Sequence, residues 1–543
     1  MKLDFGHLAL DLKTVIKFLK QDFKDDWFKD PILFKDRFNY ESILNYFDEN
    51  INTNAGVFKP VKRKLLNVPK KGSTLRYSLE TCFYDRIAYH AFGIVLIPYF
   101  DSLISRRVFN HRFDIKSFSA KSKDFLFLNS INQWKKFEAF VRLDAENKSI
   151  LVVDLLNYFE NIDISILKRT LMNCLQKTEC SAREKSHLNF CIQSLCNCLS
   201  DWAYDLNKGL PQSRDISSFL ANIYMLPVDE EMLRMGFDYY RYMDDIKLIC
   251  NDKFEARKAL KTLIVKLREI GLSVNPRKTE IIEPGSEKHN IFLKHDSVHL
   301  EVIDSMLQSK KKPLVAFAFL KIKDGLEKIL TTEDRQSAEF RFYVNRICKI
   351  ALCKDIAKPE GFFDAITEGI LGSFIDAPEA MDQYYLYLTA IKLKENDLNK
   401  IQSFILDLKV CIYSWQNYLI WKILAYHHYC TKDLVSHAKK ILREDSANAA
   451  GAILYLGKCG CLEDKIKIAE HFKEMNNFFH QRHALIGLQE VDYQIIKEFI
   501  SPYILRESVG IYRSLKELNE PSYISPPDPI PYKQLINEIS FYA

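Results

Sequence analysis

At 543 residues the chain exceeds what one ordinary hydrophobic core supports, so two or three domains are expected. Apolar residues make up 47% and charged residues 27%, with few glycines and prolines, which excludes a disordered chain. A net charge of +6 permits an anionic partner without demanding one.

Met1 to Lys24 mixes acids and lysines with apolar residues, unlike a signal peptide, and no segment reaches the roughly 18 apolar residues of a membrane span. Thirteen cysteines lie without the spacing of a disulfide framework, so a cytoplasmic chain in which most cysteines are reduced, buried thiols is expected. The cysteines at 191, 196, 198, 459 and 461, with His427, His428, His480 and His483, fit no paired zinc knuckle. Residues 1–57 read as an N-terminal helical extension. From 58 to 305 short β-type runs alternate with helical patterns, the mark of an α+β domain. Between 59 and 76 seven cations, Lys59, Lys62, Arg63, Lys64, Lys70, Lys71 and Arg76, stand without an acid; such a run tracks a phosphate backbone or is simply a solvated face. Arg106, Arg107, His111 and Arg112 form a second basic cluster that could meet a template.

The apolar run Ile150-Leu151-Val152-Val153 predicts a buried strand ending in Asp154, followed by Tyr158-Phe159. Gly209-Leu210-Pro211-Gln212-Ser213 precedes a helical run over Ser217 to Tyr224. Tyr240 to Cys250 reads as a hairpin with Met243, Asp244 and Asp245 at its turn. An amphipathic helix with Ala256, Leu260, Leu263, Leu267 and Ile270 on one face leads to Gly271 to Thr279. From 306 to 543 apolar residues recur every three or four, as in Phe317 to Leu330, Ala380 to Leu393 and Ser414 to Tyr429; this predicts a helical bundle or a stack of helix pairs. The closing stretch Ser501 to Tyr532 carries Pro502, Pro521, Pro526, Pro527, Pro529 and Pro531; it should be extended, packed on the surface or on a neighbouring subunit, or a plain tail.

Adjacent carboxylates repel by roughly 1 kcal/mol at 4 Å in water and about 4 at an effective dielectric near 20. Clustering of Asp154, Asp244 and Asp245 therefore implies a cation. All-oxygen ligands favour magnesium, and a two-metal site suits activation of a 3′-hydroxyl. The dipeptide alone reads equally well as a solvated turn.

In order along the chain, Asp154 with Tyr158-Phe159, Gly209 to Ser213 with Leu220 to Tyr224, Tyr242 to Asp245, and Gly271 to Thr279 resemble four motifs of the reverse transcriptases, especially the bacterial group holding group II intron, retron and abortive-infection enzymes. The resemblance covers about 60–282 and implies right-hand fingers and palm, followed by a mostly α-helical C-terminal domain. It implies that Asp154 and Asp244 hold two magnesium ions, with manganese as the substitute, and that Asp245 supports them. Phe159 would be the aromatic gate against a ribose 2′-hydroxyl, making deoxynucleoside triphosphates the substrate, or else a core phenylalanine. Gln212 would lie near nucleotide and template, and Lys278 would stabilise or protonate the departing pyrophosphate, or be a surface lysine. Pro69 to Arg76 followed by Asp85-Arg86-Ile87 resembles the fingers, with Lys70 and above all Arg76 as triphosphate ligands.

Two departures stand out: Ser213 replaces the usual glycine after Pro-Gln, and Arg76-Tyr77 replaces Arg-Pro. A polymerase joined to a long helical region most resembles the bacterial defence-associated reverse transcriptases. That resemblance implies RNA-templated or protein-primed DNA synthesis in antiphage defence, RNA or DNA as template or product, a dedicated noncoding RNA in some relatives, and a homo-oligomer. The alternatives are a retroelement enzyme or intron maturase, and an RNA-binding scaffold whose polymerase domain is inactive.

Overall fold

The computed structural model describes residues 2–4, 9–119, 125–294, 298–309, 311–332, 335, 337–500, 508–518, 520–532 and 535. The chain forms two compact units: Met1–Lys29, Asn39–Arg63 and Leu79–His295 in the first, and Asp30–Phe38, Lys64–Ser78 and Asp296–Ala543 in the second. The architecture is α+β with a helical C-terminal part, as expected.

Eight strands are present among the described residues: β1 (Lys2–Asp4), β2 (Ala9–Asp11), β3 (Lys64–Lys70), β4 (Thr74–Glu80), β5 (Ser149–Asp154), β6 (Asp238–Tyr242), β7 (Asp245–Cys250) and β8 (Glu280–Ile282). The last four form one antiparallel sheet in the first unit, in the order β6-β7-β5-β8. β5 is interior and nearly all its residues are buried, as its unbroken apolar run requires. Ile150, Tyr240, Ile249 and Ile282 share a core with Phe137 and Val141 of helix Ser130–Leu143. Helix Lys253–Glu269, capped by Asp252, also packs on β5 and β7 through a face that includes Ala256, Ala259, Leu263 and Leu267. Its predicted apolar face holds, with Ala259 added and Leu260 only half-buried.

Helix Asp215–Arg234 is apolar and buried over most of its circumference, and it packs against β6. Its own N-cap, Arg214, makes no side-chain cap; instead Asp22 accepts from the Asp215 N–H at 2.9 Å. Behind that helix end lies a buried ionic network. Arg86 pairs with Asp22 and Asp26, and Arg214 pairs with Asp26 and, at 3.1 Å, with Glu80.

In the second unit, helices Ala338–Leu352, Met381–Ala390, Ser414–Tyr426, Ala447–Cys459 and Phe478–Gly487 pack each on the next. A second layer runs beside them: Lys312–Leu330, Asp364–Gly372, Glu395–Leu406, Lys432–Ile441 and Leu462–Phe472. Of the two predicted alternatives this is the stack of helix pairs. Glycine permits a close crossing: a Cβ on Gly457 would lie 2.5 Å from the Gly487 Cα. Arg482 binds both Asp30 and Asp36, which ties 30–38 into this unit.

The proline-rich stretch runs along the second unit. Ser522 and Gln489 bond reciprocally at 2.9 Å, the Ile530 N–H donates to the Leu352 carbonyl, and the Tyr532 N–H donates to Asp355. Pro502 and its neighbours lie outside the described residues. Most cysteines are free and buried, as expected; Cys430 and Cys459 form a disulfide, where the turn after helix Ser414–Tyr426 meets the end of helix Ala447–Cys459, a proximity their spacing does not reveal. Among the described residues no helix is long and apolar enough to cross a membrane.

Candidate active site

The register of the sheet assembles the acids. β5 and β7 pair with Asp154 directly opposite Asp245, so the two side chains share one face, with Cβ atoms about 5 Å apart. β6 and β7 pair through Tyr242 and Asp245, leaving Met243 and Asp244 as a two-residue turn. Asp245 thus already belongs to the strand, and the turn is one residue shorter than expected. Met243 has φ of +58°, a left-handed conformation that costs a non-glycine residue about 1–2 kcal/mol.

On the other side of β5, 273–275 extends the pairing: the Leu156 N–H donates to the Ser273 carbonyl at 2.8 Å, and the Asn275 N–H to the Asp154 carbonyl at 2.7 Å. This brings two side chains onto the Asp154 carboxylate, Lys278 Nζ on Oδ1 and Asn275 Nδ2 on Oδ2, each at 2.9 Å. Burial works against the Lys278 charge, but the three carboxylates outweigh it and hold the ammonium above its ordinary range. Burial, then the negative neighbours Asp244 and Asp154, pushes the Asp245 carboxyl up to about 6.

Phe159 is half-buried next to the Gly209 loop: the Leu210 N–H donates to the Phe159 carbonyl and the Gly209 N–H to the Ile162 carbonyl. Gln212 is half-buried in that loop, and Ser213, where a glycine is usual, has φ of +55°. The first unit therefore gathers Asp154, Asp244, Asp245 and Lys278 at one sheet end, with Phe159 and Gln212 on adjoining loops. Lys70 and Arg76 lie on the β3–β4 hairpin and belong to the second unit.

Part of the basic sequence is engaged internally. Arg63 donates to the carbonyls of Trp202 and Ala203, and Lys64 pairs with Asp445. Arg112 is held by Asp101 and by the carbonyls of Ser105 and Val108, Arg107 pairs with Asp238, and His111 bonds Asp215. Asn275 was not assigned a role from sequence; its only signal was an Asn-Pro step after an apolar run.

Among the described residues no three acidic, histidine or cysteine side chains form a ready-made ion cage, and both Asp154 oxygens already have donors. The donor chemistry nonetheless fits a hard divalent cation, with oxygen ligands only and a carboxyl pushed up by burial and by its negative neighbours.

An antiparallel sheet with acids converging at a strand end and a hairpin turn is the palm of a nucleotide polymerase. Residues 97–317 match the family model described as reverse transcriptase (RNA-dependent DNA polymerase), and the protein is accordingly an enzyme, an RNA-directed DNA polymerase. The match starts after Lys70, Arg76 and Asp85-Arg86-Ile87, and runs past 282 into helix Lys312–Leu330. Reverse transcriptase domains generally depend on divalent metal. Among curated proteins none matches the chain. Solved structures with likeness include telomerase from Candida albicans in complex with a fragment of telomeric RNA, at 11% identity, TM-score 0.30, covering 73% of this chain and 70% of that one. Apo telomerase from Candida tropicalis gives 13% and 0.32, covering 82% and 74%. A structure described as an RdRp complex gives 10% and 0.30, covering 93% of this chain and 48% of that one.

Proposed function

We propose that the first unit joins deoxynucleotides to a 3′-hydroxyl using two divalent ions, magnesium with manganese as the substitute, held by Asp154 and Asp244 and supported by Asp245. The observation that carries this reading is the register setting Asp154 opposite Asp245 with Asp244 at the adjoining turn. Bound there, such ions acidify the attacking hydroxyl and neutralise charge on the phosphates. Asn275 keeps Asp154 oriented through Oδ2, while Lys278 gives up Oδ1 and turns its ammonium to the departing pyrophosphate. Phe159 crowds the 2′ position of an incoming sugar, and Gln212 contacts nucleotide or template from the adjoining loop.

The template is RNA, or in a protein-primed mode the product grows from a tyrosine. In the wider setting we read the enzyme as a cytoplasmic component of bacterial antiphage defence, acting as a homo-oligomer or with a dedicated noncoding RNA. The joining of a polymerase to a helix-pair array supports that reading.

Chelation should abolish incorporation of labelled deoxynucleotide and magnesium should restore it. Phe159→Ala should raise ribonucleotide use relative to deoxynucleotide by about tenfold or more. Unchanged sugar selectivity would remove the gate from Phe159. Cells carrying Asp154→Asn should lose protection against phage, and retained protection would assign defence to binding rather than synthesis.

A further inference from the structure

Arg241, the second residue before the catalytic turn, is completely buried in β6. Each nitrogen of its guanidinium is engaged. Nε and Nη2 form a fork onto Asp229 at 2.9 and 2.6 Å, and Nη1 donates to Asn222 Oδ1 at 2.9 Å and to the Met243 carbonyl at 3.0 Å. The partners are themselves fixed. Asp229 accepts from the Tyr239 hydroxyl at 2.7 Å, and Asn222 donates to the Asn110 carbonyl at 2.7 Å. The Arg241 backbone is clamped as well, its N–H on the Arg107 carbonyl and its carbonyl taking the Phe109 N–H.

Stability alone does not call for this arrangement. Burying an ion pair costs each partner its hydration, and well-packed apolar residues of the same volume are often equally stable. What an apolar pair cannot supply is the fourth hydrogen bond, onto the carbonyl of a residue held at φ +58°. A hydrogen bond from a charged donor is stronger than a neutral one, and here it falls on the backbone of the left-handed turn, whose strain it offsets.

We propose that Arg241 is a positioning residue for the reaction: anchored by Asp229 and Asn222 of helix Asp215–Arg234, it holds the Met243 carbonyl and thereby fixes the turn that presents Asp244. The proposal rests on the reading of Asp244 as a ligand of the catalytic ions. Lysine in its place keeps the charge but lacks the planar fork, so it cannot serve Asp229, Asn222 and Met243 together.

The test compares full-length wild type, Asp244→Ala, Arg241→Lys and the double variant Asp229→Leu/Arg241→Met, which removes both buried charges. Thermal melts report folding; kcat, the KM for deoxynucleotide and the half-saturating magnesium concentration are measured per folded molecule. Both Arg241 variants should lose about 10- to 100-fold in kcat with little change in KM, and require more magnesium. A kcat per folded molecule close to wild type in both, beside an inactive Asp244→Ala, would overturn the proposal while leaving the active-site reading standing. Activity in Asp244→Ala would overturn that reading, and the proposal with it.

Discussion

Asp154 and Asp245 face each other across two strands yet live in different surroundings: Asp154 has an ammonium and an amide on its oxygens, while burial, with the charges of Asp244 and Asp154, pushes the Asp245 carboxyl up. The acids were legible in the sequence because a carboxylate ends an apolar run and the motifs around it and around the pair stand in order; the pair alone reads as a solvated turn. Asn275 was not, since its meaning lies in a contact 121 residues away. The same holds for Arg241, whose neighbours in sequence say nothing of Asp229 or Asn222. Asp85 offers a test at this scale. It is fully buried, accepts from the Val61 N–H, and burial pushes its carboxyl up to about 8. Below about pH 4 the folded and unfolded chains both hold the proton, so the group has no effect. Between about 4 and 8 only the unfolded chain gives it up, so stability falls as pH rises and levels off above 8. Asp85→Asn keeps the acceptor and cannot ionise. Urea unfolding should find it more stable than wild type by about 2–4 kcal/mol at pH 8, with the gap closing below pH 4. A variant less stable at pH 8, or a gap independent of pH, would contradict the assignment.

Elements were legible where periodicity was strong, and their ends were not. The helix expected over Phe317 to Leu330 begins at Lys312, where Pro313 suits a first turn, and the one expected to Tyr429 stops at Tyr426, at the turn leading to the disulfide. The stacking of helix pairs left no visible repeat, because each crossing uses different residues: Gly451 lies against Tyr418 and Trp421, and Gly457 against Gly487. Gly457→Ala would drive a methyl to 2.5 Å from the Gly487 Cα. It should lower the stability of the second unit by about 1–3 kcal/mol, read by thermal or urea unfolding. An unchanged melting temperature would mean that the helices part freely at this crossing.

For the whole molecule, the sequence carried the chemistry better than the assembly of the chain. Motifs between Asp154 and Thr279 mark a polymerase because metal-bound catalysis restricts residue type and order. The division into units is carried by contacts such as Arg482 with Asp30 and Asp36, more than 440 residues apart, which leave no local pattern. The most direct measurement gives the purified full chain a primed RNA template, labelled deoxynucleotides and magnesium, and compares wild type with Asp244→Ala at matched melting temperature. Incorporation should fall by about a thousandfold or more in the variant. Synthesis by a folded Asp244→Ala protein at the wild-type rate would show that the aspartate turn is not the seat of catalysis.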